Sequence, residues 1–193
     1  MVEDMTKPTV SIIIPTIKTK KEVASLISEI KSTVAYKLNL IVVSGNRSAA
    51  ENRNIGLDKV KTKFIIMCDD DTEAYPDGWD RDLIDALKHI GASMVGARLL
   101  NSDGSLQLTN NRNLDLSKDF VEVKTMITAC CVFRNTKLRF DENYIGSGYE
   151  DTDFCRQLGG KFFVANRVKI IHRNESKNQF NEQNRHYFRE KWK

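Results

Sequence analysis

The chain has 193 residues, 40% hydrophobic and 29% charged, with a net charge of +4. That length suits one domain of ordinary size, and that balance excludes a disordered or fibrous chain. No apolar run nears the roughly 20 residues that cross a bilayer, and residues 1–7 lack the apolar stretch of a signal peptide. Lys and Arg are scattered rather than striped, which gives no strong nucleic-acid or membrane signal and suits an anionic small substrate. Cys68, Cys130, Cys131 and Cys155 form no C-x-x-C pair and read as buried free thiols, which places the chain in the reducing cytoplasm.

Residues 9–14 are a β-rich apolar run that stops at Pro15, read as a buried strand. Residues 20–34 carry Val23, Leu26, Ile27, Ile30 and Val34 at helical spacing. A second buried strand is expected over 38–43, a turn at Ser44-Gly45-Asn46, a helix over 48–60 and a third buried strand over 64–68. Strands without polar alternation, separated by amphipathic helices, predict a mostly parallel sheet covered on both faces. Ligands of such sheets bind beyond the carboxyl ends of the strands, where the loops after Ile14, Val43 and Cys68 should lie. Further along, the pattern predicts a helix over 79–90, a strand over 93–97, a turn over 101–104 and a polar loop over 110–119. A β-prone run follows over 125–133, then a helix over 149–158 ended by Gly159-Gly160, and short strands over 162–165 and 168–171. The tail from Arg173 is basic, with aromatic residues interleaved, and is read as a flap over the donor site in preference to a plain terminal helix. No repeat or linker breaks the chain, so a single compact α/β domain is expected.

Asp69-Asp70-Asp71 directly follows the third strand. Adjacent carboxylates repel one another and resist burial, so they need water or a cation. In an extended segment Asp69 and Asp71 point to the same side, an arrangement that suits Mg²⁺ or Mn²⁺ with positions left for phosphate oxygens. The competing explanation is a solvated acidic turn. A second constellation is Gly146-Ser-Gly-Tyr-Glu-Asp-Thr-Asp153, where glycines permit close backbone approach and the acids open a helix. Taken alone, it is explained by helix capping. His172 closes an apolar strand, and beside two acidic clusters it becomes a third candidate metal ligand.

The order Val10-Ser-Ile-Ile-Ile-Pro-Thr16, Arg53-Asn54, Asp69-Asp-Asp71, Gly148-Tyr-Glu-Asp-Thr-Asp153 and His172 resembles family-two glycosyltransferases of the GT-A fold, over almost the whole chain. The 101–107 segment and Phe140-Asp141 also resemble that family, and His172-Arg-Asn resembles the metal-binding end of the β-galactosyltransferases. The resemblance implies a Rossmann-like domain with a nucleotide-sugar half over about residues 1–100 and an acceptor-side half over about 101–193. It implies that Pro15 and Thr16 line the nucleoside pocket, with Arg53 and Asp70 beside the nucleotide. Asp69 would lie near ribose and metal, Asp71 would ligate Mn²⁺ or Mg²⁺, and His172 would complete the coordination. Asp151 would be the general base, and Glu150 with the Gly148 backbone would hold sugar or acceptor. The activity implied is inverting transfer from a nucleotide-sugar donor to a hydroxyl acceptor. Family members often carry an acidic residue after the second strand. Here Ile41-Val-Val43 runs into Ser44-Gly45-Asn46, so UDP is only the default base.

Three other readings compete, one of them a nucleic-acid-binding protein that uses the basic, aromatic tail from Arg173 to Lys193. A nucleotidyltransferase making sugar nucleotides would show a glycine-rich basic loop after the first strand, and Pro15-Thr-Ile-Lys-Thr-Lys-Lys21 has no glycine. A non-catalytic nucleotide- or sugar-binding module would need no base beside its acidic cluster.

Overall fold

The computed structural model of the chain describes residues 9–107, 115–174 and 180–193. Its first half alternates as expected: β1 (Thr9–Thr16), α1 (Ala24–Thr33), β2 (Lys37–Ser44), α2 (Ala49–Leu57) and β3 (Phe64–Cys68). There follow β4 (Thr72–Glu73), α3 (Trp79–His89), β5 (Met94–Leu100), β6 (Phe120–Val123) and β7 (Cys130–Arg134). The described chain ends with α4 (Glu150–Leu158), β8 (Phe162–His172) and α5 (Asn181–Lys191).

One eight-stranded sheet has the order β2-β1-β3-β7-β5-β8-β4, with β6 also paired to β8. β1, β2, β3, β5 and β8 share one direction, and β7, β4 and β6 run against it. The sheet separates two cores. Ile12, Ile66, Val95, Leu99 and Ile170 pack under Trp79, Leu83 and Leu87 of α3. Ile13, Ile65, Met67, Met94 and Cys131 pack under Ala50 and Leu57 of α2 and Phe154 of α4. Phe140 stacks on Phe154 at 4.2 Å between centroids. All four cysteines are free and buried, as their apolar neighbours implied. Among the described residues, no helix is long and apolar enough to cross a membrane.

Several boundaries differ from the sequence reading, each for a physical reason. β1 runs through Pro15 to Thr16: its register with β3 ends at Ile13, so one side of the strand is already free when the amide-less residue arrives. β2 is an edge strand and half-buried rather than buried. α2 stops at Leu57, and the two strands expected over 162–171 are one, β8, carrying a register shift opposite Ala97 and Arg98. Of the 125–133 run only the end is strand, because the amides of Met126 and Thr128 go to Cys155 Sγ and to Asp151. The tail forms α5; residues 175–179 of the expected flap, like 110–114 of the expected polar loop, lie outside the described residues.

Candidate active site

The loops after β1, β2 and β3 meet at the carboxyl edge of the sheet, as parallel topology requires. The acidic triplet splits there. Asp70 turns back to β1, where Thr16 Oγ1 donates to it and Lys18 Nζ lies 3.5 Å away. Asp69 and Asp71 turn the other way. Thr72, paired with His172 across β4 and β8, brings the histidine beside them. His172 Nε2 lies 3.2 Å from Asp71 Oδ1 and 4.0 Å from Asp69 Oδ2. The amide of Arg173 donates to the Asp71 carbonyl at 3.0 Å and closes the strand end.

These three side chains offer ligand atoms that all lie within 4.8 Å of one another. Ligands about 2.1 Å from a common Mg²⁺ stand roughly 3.0 Å apart when adjacent and 4.2 Å apart when opposite, so the group fits a divalent cation with little adjustment. The donor set of two carboxylates and one imidazole suits Mn²⁺ or Mg²⁺. His172 Nδ1 meets Gln107 Oε1 at 2.8 Å. The Gln107 amide nitrogen donates to the His172 carbonyl at 3.1 Å and to Asn101 Oδ1 at 3.4 Å, which orients the amide. Nδ1 therefore carries a proton in either charge state, and Nε2 faces Asp71, donating to it when the imidazole is protonated and offering a ligand lone pair when it is neutral. Burial works against protonation of His172, but the hydrogen bond to Asp71 and the charges of Asp69 and Asp71 prevail and raise its pKa.

Arg53 occupies the centre of the site. It projects from α2 and is 4% exposed. Its Nη1 lies 2.8 Å from Glu150 Oε1 and 3.2 Å from Asp151 Oδ1, and its Nη2 lies 3.1 Å from Asp69 Oδ1. Its planar fork thus binds the acidic triplet to the start of α4. Burial disfavours the guanidinium charge, yet Asp151, Asp69 and Glu150 more than offset this and hold the proton more firmly than usual. Burial pushes Asp69 up, opposed by Arg53 and reinforced by Asp151. Burial, then the Asp151 charge, pushes Glu150 up to about 7 against the pull of Arg53.

The turn into α4 is sharp. Gly148 has φ 109° and Tyr149 has φ 71°, and a non-glycine residue there is strained. The Gly148 amide donates to Glu150 Oε2. No side chain caps this helix, so the acids at its start are not the capping residues that the bland reading supposed. Asp151 instead accepts from the Thr128 amide at 3.1 Å and from Thr128 Oγ1 at 2.6 Å, with its side chain 18% exposed. The loop before the turn is held by Asn184 of α5, which is 1% exposed. Asn184 accepts from the Ile145 amide at 3.0 Å and donates to the Ile145 and Gly148 carbonyls at 2.9 Å. The Ala49 amide, at the start of α2, donates to the Gly146 carbonyl at 2.8 Å and joins this loop to the one after β2.

Every candidate read from the sequence lies at this edge. Asp69, Asp71 and His172 meet in one cluster; Arg53, Glu150, Asp151 and Gly148 form the next; Pro15, Thr16 and Asp70 line the β1 side. Gln107, Thr128 and Asn184 were not singled out as site residues. Only Gln107 had a signal, since it closes the 101–107 segment; the other two act through partners remote in sequence.

The mixed sheet with its acidic edge cluster is the GT-A arrangement. The family model for glycosyl transferase family 2 matches residues 35–144, and the chain belongs to that family. No curated protein matches the chain. A solved structure of GalNAc-T7 with UDP, GalNAc and Mn²⁺ is similar at TM-score 0.64 and 10% identity, over 88% of this chain and 44% of that one. TarS 1-349 of S. aureus in complex with UDP-GlcNAc is similar at TM-score 0.67 and 12% identity, over 88% of this chain and 61% of that one. A further structure of S. aureus TarS gives TM-score 0.58 at 12% identity, over 86% of this chain and 36% of that one. At such identities the likeness is one of fold, and the chain spans less than two thirds of the length of each.

Proposed function

We propose that this chain transfers a sugar, with inversion, from a nucleoside-diphosphate sugar to a hydroxyl acceptor. A UDP-sugar is the default donor, which agrees with the ligands named for GalNAc-T7 and TarS 1-349. The observation that carries the reading is the meeting of two clusters through Arg53: Asp69, Asp71 and His172 on one side, Glu150 and Asp151 on the other. A binding module needs only the first cluster. A displacement needs both.

Asp69, Asp71 and His172 would hold Mn²⁺ or Mg²⁺, which when bound supplies positive charge for the departing diphosphate. Pro15, Thr16 and Asp70 line the nucleoside side, and residues up to about 100 form the donor half. Asp151 takes the proton of the acceptor hydroxyl as its oxygen attacks the anomeric carbon and the bond from that carbon to the diphosphate breaks. Thr128 orients this carboxylate through two hydrogen bonds and leaves it partly exposed. Such general-base help contributes about 10²–10⁴-fold. Glu150, 4% exposed and committed to Arg53 and the Gly148 amide, holds the turn in place rather than reacting. A single base on the acceptor side supports one displacement and hence inversion.

The turn after β2, Ser44-Gly45-Asn46, offers the base of the donor no carboxylate. Asn52 Nδ2 donates to the Gly45 carbonyl at 3.0 Å, and Arg47 Nη1 donates to Asn52 Oδ1 at 3.3 Å. Calorimetric titration of UDP, GDP, dTDP and CDP, with and without Mn²⁺, tests the donor site. Metal-dependent binding of one nucleotide, lost in Asp71→Ala, is expected. Absence of binding by the folded protein with metal present would rule the donor site out.

A further inference from the structure

Arg98 and Lys169 are register partners on the parallel strands β5 and β8, so their side chains leave the same face of the sheet. Ala97 and Leu99, and Val168 and Ile170, belong to the core under α3. Arg98 and Lys169 therefore stand on the opposite face, that of α2, α4 and the Arg53–Asp151 cluster. Like charges placed directly across neighbouring strands repel. Neither residue has a hydrogen bond or ion pair among the described residues. Arg98 is only partly exposed, and its Nε is buried with no hydrogen-bond partner. By contrast, Arg53 has three carboxylates and Lys18 has Asp70.

A half-buried guanidinium beside an ammonium, with no anion among the described residues paired to either, is a costly arrangement that a bound anion relieves. The pair also lies on the acceptor side. Arg98 is two residues past Gly96, or about 7 Å along the strand. At Gly96 any Cβ would strike Met126 Sδ, and Met126 begins the short segment that ends at Thr128, the residue holding Asp151.

We propose that Arg98 and Lys169 form an anion subsite that binds a phosphate group carried by the acceptor, next to its reacting hydroxyl. Two cations suit the two charges of a phosphate better than the one of a carboxylate, and the Arg98 fork meets two of its oxygens at once. The acceptor role rests on the transferase reading above; the anion subsite itself does not.

The test follows the Arg98 Nε–H resonance during titration with inorganic phosphate, first in the free protein and then with saturating UDP and Mg²⁺. A saturable shift is expected in both states, since the subsite is separate from the donor diphosphate. Lys169→Gln, a change at an exposed residue, should weaken phosphate binding by about fivefold, as expected for one lost exposed charge pair. Arg98→Gln should leave UDP affinity unchanged. Acetate at equal ionic strength should leave the resonance in place. Absence of a saturable shift, indifference to Lys169→Gln or an equal response to acetate would overturn the phosphate subsite. Competition between phosphate and UDP would assign Arg98 to the donor instead. If UDP failed to bind at all, the donor reading would fall, while the titration of the free protein would still decide the subsite.

Discussion

Arg53 Nη1 stands 2.8 Å from Glu150 Oε1, although 97 residues of sequence separate them. Both side chains are 4% exposed, so each leaves the other's charge buried if it is removed. Breaking a buried pair at one partner is far more damaging than replacing both. Arg53→Met should therefore lower stability by about 3–5 kcal/mol, and adding Glu150→Leu should recover much of that loss. Urea unfolding of the single and double variants measures the difference; equal losses in both would show that the pair is not what holds α2 to α4.

Gln107 fixes the tautomer of His172 from the side away from the carboxylates. Partners of this kind typically matter 10–100-fold in metal affinity, roughly as their removal costs in other sites. Gln107→Leu should weaken Mn²⁺ binding by about that factor without touching Asp69 or Asp71. His172→Ala should weaken it further. Calorimetry with Mn²⁺ in the presence of UDP reads both.

Asp151 and Thr128 should separate binding from chemistry. Asp151→Asn should keep nucleotide and metal affinity and lower turnover by about 10²–10⁴-fold. Thr128→Val removes one of the two bonds that orient the carboxylate and should lower kcat with little change in donor KM. Near-normal turnover in Asp151→Asn would move the base elsewhere.

The free protein should be most stable in mild acid. The pKa of Glu150 is raised from an ordinary 4.5 to about 7, so its stabilising contribution is complete below about pH 4.5 and is lost as pH rises through about 7. The pKa of His172 is also raised, so its contribution likewise holds below its ordinary 6.5 and fades above its folded value. Thermal unfolding of the metal-free protein should shift to lower temperature from about pH 4.5 to just above 7, and Glu150→Gln should flatten the part near 7. Excess Mn²⁺ should reverse the trend, because binding requires deprotonated ligands.

Asn184 serves four backbone groups of the loop before Tyr149 while almost wholly buried. Asn184→Ala leaves those groups unmatched and should cost about 1–3 kcal/mol. Urea unfolding measures it, and a change below a few tenths would mean that α5 does not anchor the loop.

The sequence by itself determined the alternation of apolar strands and amphipathic helices in the first half, and with it the carboxyl edge where ligands bind. It also determined that Asp69 and Asp71 point together, because period-two alternation is a local property of an extended chain. Burial in β2 was misjudged, because an apolar edge strand and an apolar central strand look alike until their neighbours are known. β6 and the fused β8 escaped notice for a related reason: a four-residue strand and a bulge are defined by pairing rather than by composition. Only the tertiary structure decided which acids work together. It turned Asp70 to Thr16, joined Asp69 to Glu150 and Asp151 through Arg53, gave His172 its tautomer through Gln107, and left Arg98 beside Lys169 without a counter-charge among the described residues. Charges interact through space, and the chain brings such partners together only when the sheet closes.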